Sequence, residues 1–111
     1  MTDNTESNYF AIIPAKVRHD KELPANAKLI FGEITSLAGK FGYCFASNKV
    51  IGEMYDLSDD RVSKIIHILE KKGYVKVVIE RDERQFVTGR KIYPMMDIFS
   101  NGSVEITGGP V

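Results

Sequence analysis

The stretch that decides the fold covers residues 47–73 and has the sequence SNKVIGEMYDLSDDRVSKIIHILEKKG. It contains two serines that each precede a segment suited to a helix. Serine is a preferred N-cap, because its hydroxyl accepts a hydrogen bond from one of the first unpaired helix amides. Ser47 therefore predicts a helix over residues 48–55, and Ser58 predicts another from residue 59 to about residue 72.

The break between the two helices has its own signals. Asp56 lies at the break, and aspartate tolerates the left-handed backbone better than most residues. Gly52 is unusual inside a helix, where glycine costs about 0.5–1 kcal/mol relative to alanine, so we expect another backbone to pass close by. Gly73 is a typical residue for ending a helix. The apolar positions of the later helix share one face and are predicted to be core: Val62, Ile65, Ile66 and Leu69. Two short helices joined in this way form a helix-turn-helix.

The flanking sequence predicts the remaining elements. Upstream, a stripe with a period of 3.6 residues predicts a helix over 24–41, formed by Ala27, Ile30, Phe31, Ile34, Leu37, Ala38 and Phe41. We expect residues 9–13 to be an extended anchor, 14–18 one helical turn, and 43–46 a short strand. Downstream, residues 74–79 and 90–93 predict two strands joined by a polar loop over 80–89.

These elements predict an α+β winged helix-turn-helix, with a three-helix core and a C-terminal β-hairpin as the wing. We expect the domain to span residues 9–99. Residues 1–8 are expected to be a disordered leader and 100–111 a flexible linker or tail, because both are polar and the latter is rich in glycine.

The composition excludes several classes of protein. Fifteen Lys and Arg residues balance fifteen Asp and Glu residues, which excludes a uniformly basic nucleic-acid coat, although 41–94 contain ten basic and eight acidic residues. The single cysteine, Cys44, excludes an internal disulfide and a thiolate zinc cage. No P-loop, glycine-rich dinucleotide turn or nucleophile elbow is present. We therefore expect no enzyme activity, no cofactor, no metal, no small-molecule substrate and no membrane partner, in a reducing cytoplasm.

The predicted fold places polar side chains where duplex DNA would lie, because a helix fits the major groove and the preceding helix crosses the backbone. Candidates on the later helix are Asp60, Arg61, Ser63, Lys64 and His67. Those at the start of the earlier helix are Ser47, Asn48 and Lys49, and those in the wing are Arg81, Arg84, Arg90 and Lys91. We expect Arg61 or Lys64 to contact bases and the wing to contact phosphates.

Two groups of residues have a second interpretation. Asp59 and Asp60 either stabilise the helix dipole, which we favour, or accept a hydrogen bond from cytosine N4. The aromatic residues Tyr9, Phe10, Tyr43 and Phe45 are expected to be core or strand-pairing residues rather than base-stacking platforms.

Longer segments also resemble one family. The motifs IGEMYDLS at 51–58 and RVSK at 61–64 look like the helix-turn-helix signature of bacterial regulators. The further segments are FAIIPAKVR at 10–18, AKLIFGEI at 27–34, SNK at 47–49, LEKKGYV at 69–75 and RKIYP at 90–94. Together they resemble the N-terminal domain of phage and prophage replisome organisers, the replication initiators of bacteriophages of Gram-positive hosts. The family usually has glycine in place of Asp56, alanine in place of Gly52, and often basic residues or glutamine in place of Asp59 and Asp60.

The resemblance, over roughly residues 9–94, implies sequence-specific binding to double-stranded DNA at origin repeats in a bacterial host cell. It also implies that a further C-terminal region recruits the host helicase or its loader, so this chain is expected to be a domain fragment. Two other functions stay open. One is a transcriptional repressor of the same fold. The other is a winged helix that docks proteins in primosome assembly, which the zero net charge and the Asp59–Asp60 pair favour.

Overall fold

The computed structural model describes residues 10–95, which form four helices and then a β-hairpin. The elements are α1 (Ala15–Arg18), α2 (Ala25–Leu37), α3 (Asn48–Tyr55), α4 (Asp59–Lys71), β1 (Val75–Arg81) and β2 (Val87–Pro94). The predicted α+β winged helix-turn-helix is confirmed. The leader predicted at 1–8 and the tail predicted at 100–111 lie outside the described residues.

The core lies where α2, α3, α4 and the inner face of the hairpin meet. Its fully buried members include Phe31 of α2, Ile51 of α3, Leu69 of α4 and Ile92 of β2. The apolar stripe predicted for α4 is confirmed, because all of its members are buried: Val62, Ile65, Ile66 and Leu69. Burial of side chains this large stabilises the fold by about 1.5–3 kcal/mol each, and it fixes the orientation of α4.

The helix predicted over 24–41 is correct at its start and wrong at its end. It starts after Pro24 but stops at Leu37, and the Gly39 amide bonds to the Ser36 carbonyl at 3.1 Å. Gly42 then has a φ of +85°, which favours glycine. The chain turns away here, so Phe41 is 52% exposed instead of joining the core stripe.

The segment before α1 lies along α2, as predicted for an anchor. The Ile12 amide donates to Thr35 Oγ1 at 2.9 Å. A Cβ at Gly32 would lie 3.0 Å from the Ile13 side chain, so the glycine lets the segment approach the helix closely. Phe10, however, is 88% exposed, which contradicts its predicted place in the core or in a strand pair.

The hairpin is longer than predicted. β1 and β2 pair antiparallel as far as Arg81 and Val87, so residues predicted as loop belong to strands and the turn spans only 82–86. Polar residues form strands here because both faces near the tip are exposed to water. The strand predicted at 43–46 is reduced to one bridge, in which Cys44 and Ile92 exchange two backbone hydrogen bonds of 2.8 Å.

Candidate DNA-binding surface

The turn between α3 and α4 is held by local interactions that the sequence predicted. Ser47 Oγ accepts from the Val50 amide at 3.2 Å, and Ser58 Oγ accepts from the Arg61 amide at 3.1 Å. Asp56 adopts the left-handed conformation, with φ 59° and ψ 47°. These caps and the turn fix the angle at which α4 leaves α3.

Gly52 is required by the same turn. The Leu57 amide donates to the Gly52 carbonyl at 2.9 Å, which brings the two backbones together. A Cβ at position 52 would collide with the Leu57 carbonyl oxygen. The predicted close approach of a second backbone is therefore confirmed.

The outward face of α4 carries the residues of this helix that were predicted to contact DNA. Five polar side chains are exposed there, namely Asp60, Arg61, Ser63, Lys64 and His67. They lie away from the buried Val62 and Ile66, since helical positions repeat every 3.6 residues. The core thus holds α4 with a polar face turned to solvent over its N-terminal half.

One ion pair crosses this face. Lys64 Nζ lies 3.2 Å from Asp60 Oδ2, and the two side chains are 71% and 77% exposed. An exposed pair of this kind contributes at most about 1 kcal/mol. Asp59 and Asp60 both lie in the first turn of α4, where a negative charge is favourable. Asp60 has in addition an ion-pair partner on the same helix.

Arg90 does not extend from the wing. Its Nη2 donates to the Ala46 carbonyl at 3.1 Å and to Asn48 Oδ1 at 2.6 Å, and burial lowers the pKa of the guanidinium. Arg90 thus joins β2 to the start of α3, and its predicted phosphate contact stays a prediction. Of the three candidates at the start of α3, Asn48 therefore accepts a hydrogen bond from Arg90 and Ser47 caps the helix. Lys49 is exposed to solvent.

The other wing cations divide into engaged and exposed groups. Arg81 Nη1 donates to the Gln85 carbonyl at 3.1 Å and closes the turn. Lys91 Nζ lies 3.1 Å from Glu80 Oε2, and that carboxylate raises the pKa of Lys91. Arg84 is exposed at the tip, where its backbone amide donates to Asp82 Oδ1 at 2.8 Å. Of the predicted wing cations, Arg84 is therefore the one that lies exposed at the tip.

Sequence reasoning missed a second feature of the surface, on the outer face of the hairpin. Phe45 is 45% exposed and Tyr43 is half-buried, and both rings contact Phe41. These residues were predicted to be core or strand-pairing residues. Phe45 is not core, whereas Tyr43 packs against Tyr93 beside the bridge between Cys44 and Ile92. Tyr9 lies outside the described residues. The aromatic residues at 43 and 45 were the available signal, because side chains two apart on an extended chain share a face.

Comparison with known families agrees with this geometry. Residues 21–75 match the family model described as a helix-turn-helix domain, from the residues before α2 to the first residue of β1. The chain folds as a winged helix-turn-helix domain. No curated protein and no solved structure gives a significant match. The family and the fold together indicate DNA binding. Within residues 10–95, no helix has both the length and the apolar character that crossing a membrane requires.

Proposed function

We propose that this winged helix-turn-helix domain binds double-stranded DNA in a sequence-specific manner, with α4 in the major groove. The observation that carries the proposal is the exposed polar face on the N-terminal half of α4, which Ser58 caps and the core orients. The major groove, about 12 Å wide, admits such a helix. Arg61 is the base-contacting residue, because a bidentate contact between arginine and guanine discriminates by about 1–3 kcal/mol.

The neighbouring elements supply contacts to phosphates. The start of α3 faces the DNA backbone in this arrangement, since the first helix of a helix-turn-helix crosses it. Lys49 is exposed there and Arg84 is exposed at the tip of the wing. Phosphate contacts set affinity and register but carry no sequence information.

We further propose that the DNA site lies in a phage replication origin and that the chain is part of a replication initiator in the cytoplasm of a bacterial host. The resemblance of residues 9–94 to replisome organisers supports this role over that of a repressor. The helicase or helicase loader would be recruited through a further C-terminal region. No catalytic step is needed for this role, so the proposal includes no enzyme activity.

Selection from a pool of random duplexes tests the proposal. The wild-type chain should enrich one motif, and Arg61→Ala should lose discrimination at one or two positions of it. Lys71→Ala is the matched control, because Lys71 is exposed on the same helix but in its last turn. That control should retain the motif. Enrichment of no motif, or equal behaviour of the two variants, would contradict the proposal. Repeated copies of the motif in a replication origin would favour the initiator role. A single copy at a promoter would favour the repressor role.

A further inference from the structure

A cluster of aromatic rings lies where residues 41–45 meet the outer face of β2. The centroids of Phe41 and Tyr43 lie 6.1 Å apart, and those of Phe41 and Phe45 lie 5.9 Å apart. Tyr93 joins the cluster, with its centroid 5.6 Å from that of Tyr43. We refer to Phe41, Tyr43, Phe45 and Tyr93 as the aromatic face.

The backbone register explains why these rings lie outside the core. Cys44 pairs with Ile92, and both side chains are fully buried. Successive side chains of an extended chain point to opposite faces, so the neighbours of Cys44 and Ile92 face outward. Strand pairing therefore turns Tyr43, Phe45 and Tyr93 outward. Phe41 joins them from the turn at Gly42, and 52% of Phe41 and 45% of Phe45 remain exposed.

The charges around the aromatic face are mainly positive. Lys40 Nζ lies 5.4 Å from the Phe41 ring centroid, and Lys91 Nζ lies 4.8 Å from that of Tyr43. Lys76 is exposed and opposite Tyr93 in the strand register. Glu80 is the acidic residue that pairs with Lys91 on this face. Two lysines thus lie over the rings and a third is opposite Tyr93 in the register, while Glu80 pairs with Lys91.

We propose that the aromatic face binds an unpaired strand of nucleic acid. Exposed aromatic rings bordered by cations are the combination that single strands use, because each base has a face that stacks and each linkage carries a negative charge. Bases stack on the exposed rings of Phe41 and Phe45, and phosphates contact Lys40. The excess of lysines favours a polyanionic ligand over an apolar protein surface. This second mode of binding does not depend on the duplex proposal.

The absence of tryptophan from the sequence allows a direct test. In Phe45→Trp, titration with a 15-residue thymidine oligonucleotide at low salt should quench the new fluorescence in a saturable manner. Phe10→Trp is the matched control, because Phe10 is 88% exposed and lies outside the aromatic face. Its fluorescence should stay unchanged. Equal quenching of both variants, or quenching of neither, would overturn the proposal.

Affinity measurements with the labelled oligonucleotide give a second readout. Phe45→Leu retains an apolar side chain but removes the ring, and it should weaken binding at least about fivefold. Lys40→Ala should also weaken binding, whereas Lys28→Ala on α2 should not. Thermal melts followed by circular dichroism establish that each variant is folded.

Two further outcomes separate this proposal from its alternatives. Arg61→Ala should leave oligonucleotide binding unchanged, and Phe45→Leu should leave duplex preference unchanged, so each proposal can fail alone. If Phe45→Leu instead abolishes a self-associated species in sedimentation while its oligonucleotide affinity equals that of the wild type, the aromatic face is a protein interface. That result would overturn the proposal.

Discussion

The helix-turn-helix over 47–73 and the hairpin over 75–94 both contain basic residues, but they use them differently. On α4, Arg61 and Lys64 are exposed on a polar face, and the partner of Lys64, Asp60, belongs to the same face. In the hairpin, Arg90 bonds to α3 and Lys91 pairs with Glu80. A count of charges along the sequence therefore overstates what the wing offers to DNA.

The difference follows from the geometry of the two elements. A helix packed along one stripe leaves the rest of its circumference in solvent, so the polar positions of α4 project by default. A strand alternates, so every second residue of β2 turns towards the core side. Arg90 shares that side with the buried Ile92 and must find hydrogen-bond partners there. Its position two residues before Ile92 determines its role.

Matched glycine substitutions should give the largest difference in stability between the helix-turn-helix and the hairpin. Gly52→Ala should lower the free energy of unfolding by about 3 kcal/mol, because the new methyl group meets the Leu57 backbone. Gly89→Ala in β2 should change it by less than about 0.5 kcal/mol, since its Cβ would lie 3.6 Å from Glu80 Oε1, an ordinary contact. Urea denaturation measures both. Equal losses would show that the turn is not the more constrained region.

Arginine substitutions in the wing test the bond to α3. Arg90→Ala should destabilise the fold by about 1–3 kcal/mol, because the buried Ala46 carbonyl and the Asn48 side chain lose a donor. Arg84→Ala at the exposed tip should have almost no effect on stability. Chemical denaturation measures the free energy of unfolding of both variants. An unchanged free energy in Arg90→Ala would contradict a structural role for this bond and favour a phosphate contact for Arg90.

The junction between α4 and the hairpin predicts a dependence on pH. The Tyr74 hydroxyl donates to Asp20 Oδ2 at 2.6 Å, and this bond lowers the pKa of Asp20. A carboxyl group with a lowered folded pKa stabilises the fold above its unfolded value of about 3.9, and this contribution disappears as the pH falls through the folded pKa. Tyr74→Phe should cost about 1 kcal/mol at pH 7 and flatten the acid limb of the stability curve. An unchanged acid limb would contradict the assignment.

The smallest expected change in stability concerns the ion pair on α4. Asp60→Asn removes an exposed pair with Lys64, so stability should fall by less than about 1 kcal/mol. If Asp60 only supports the helix, the variant should bind every duplex more tightly. Weaker binding to the selected motif, with tighter binding to unrelated duplexes, would instead show that Asp60 contacts a cytosine.

The sequence predicted those parts of the fold that local chemistry determines. Ser47, Asp56 and Ser58 act through neighbours within a few residues, so the boundaries of α3 and the start of α4 were predictable. The contacts of Arg90 and the exposure of Phe45 depend on which residue of β2 pairs with Cys44. That register joins positions about fifty residues apart, and no local pattern specifies it.

The most direct test of the central assignment compares Arg61→Ala with Arg84→Ala on the selected duplex and on its single-base variants, at two salt concentrations. Arg61→Ala should remove about 1–3 kcal/mol of discrimination at one or two base pairs. Arg84→Ala should weaken all duplexes alike and reduce the salt slope by about one unit. Loss of base preference in Arg84→Ala, with preference intact in Arg61→Ala, would contradict the assignment of sequence recognition to α4.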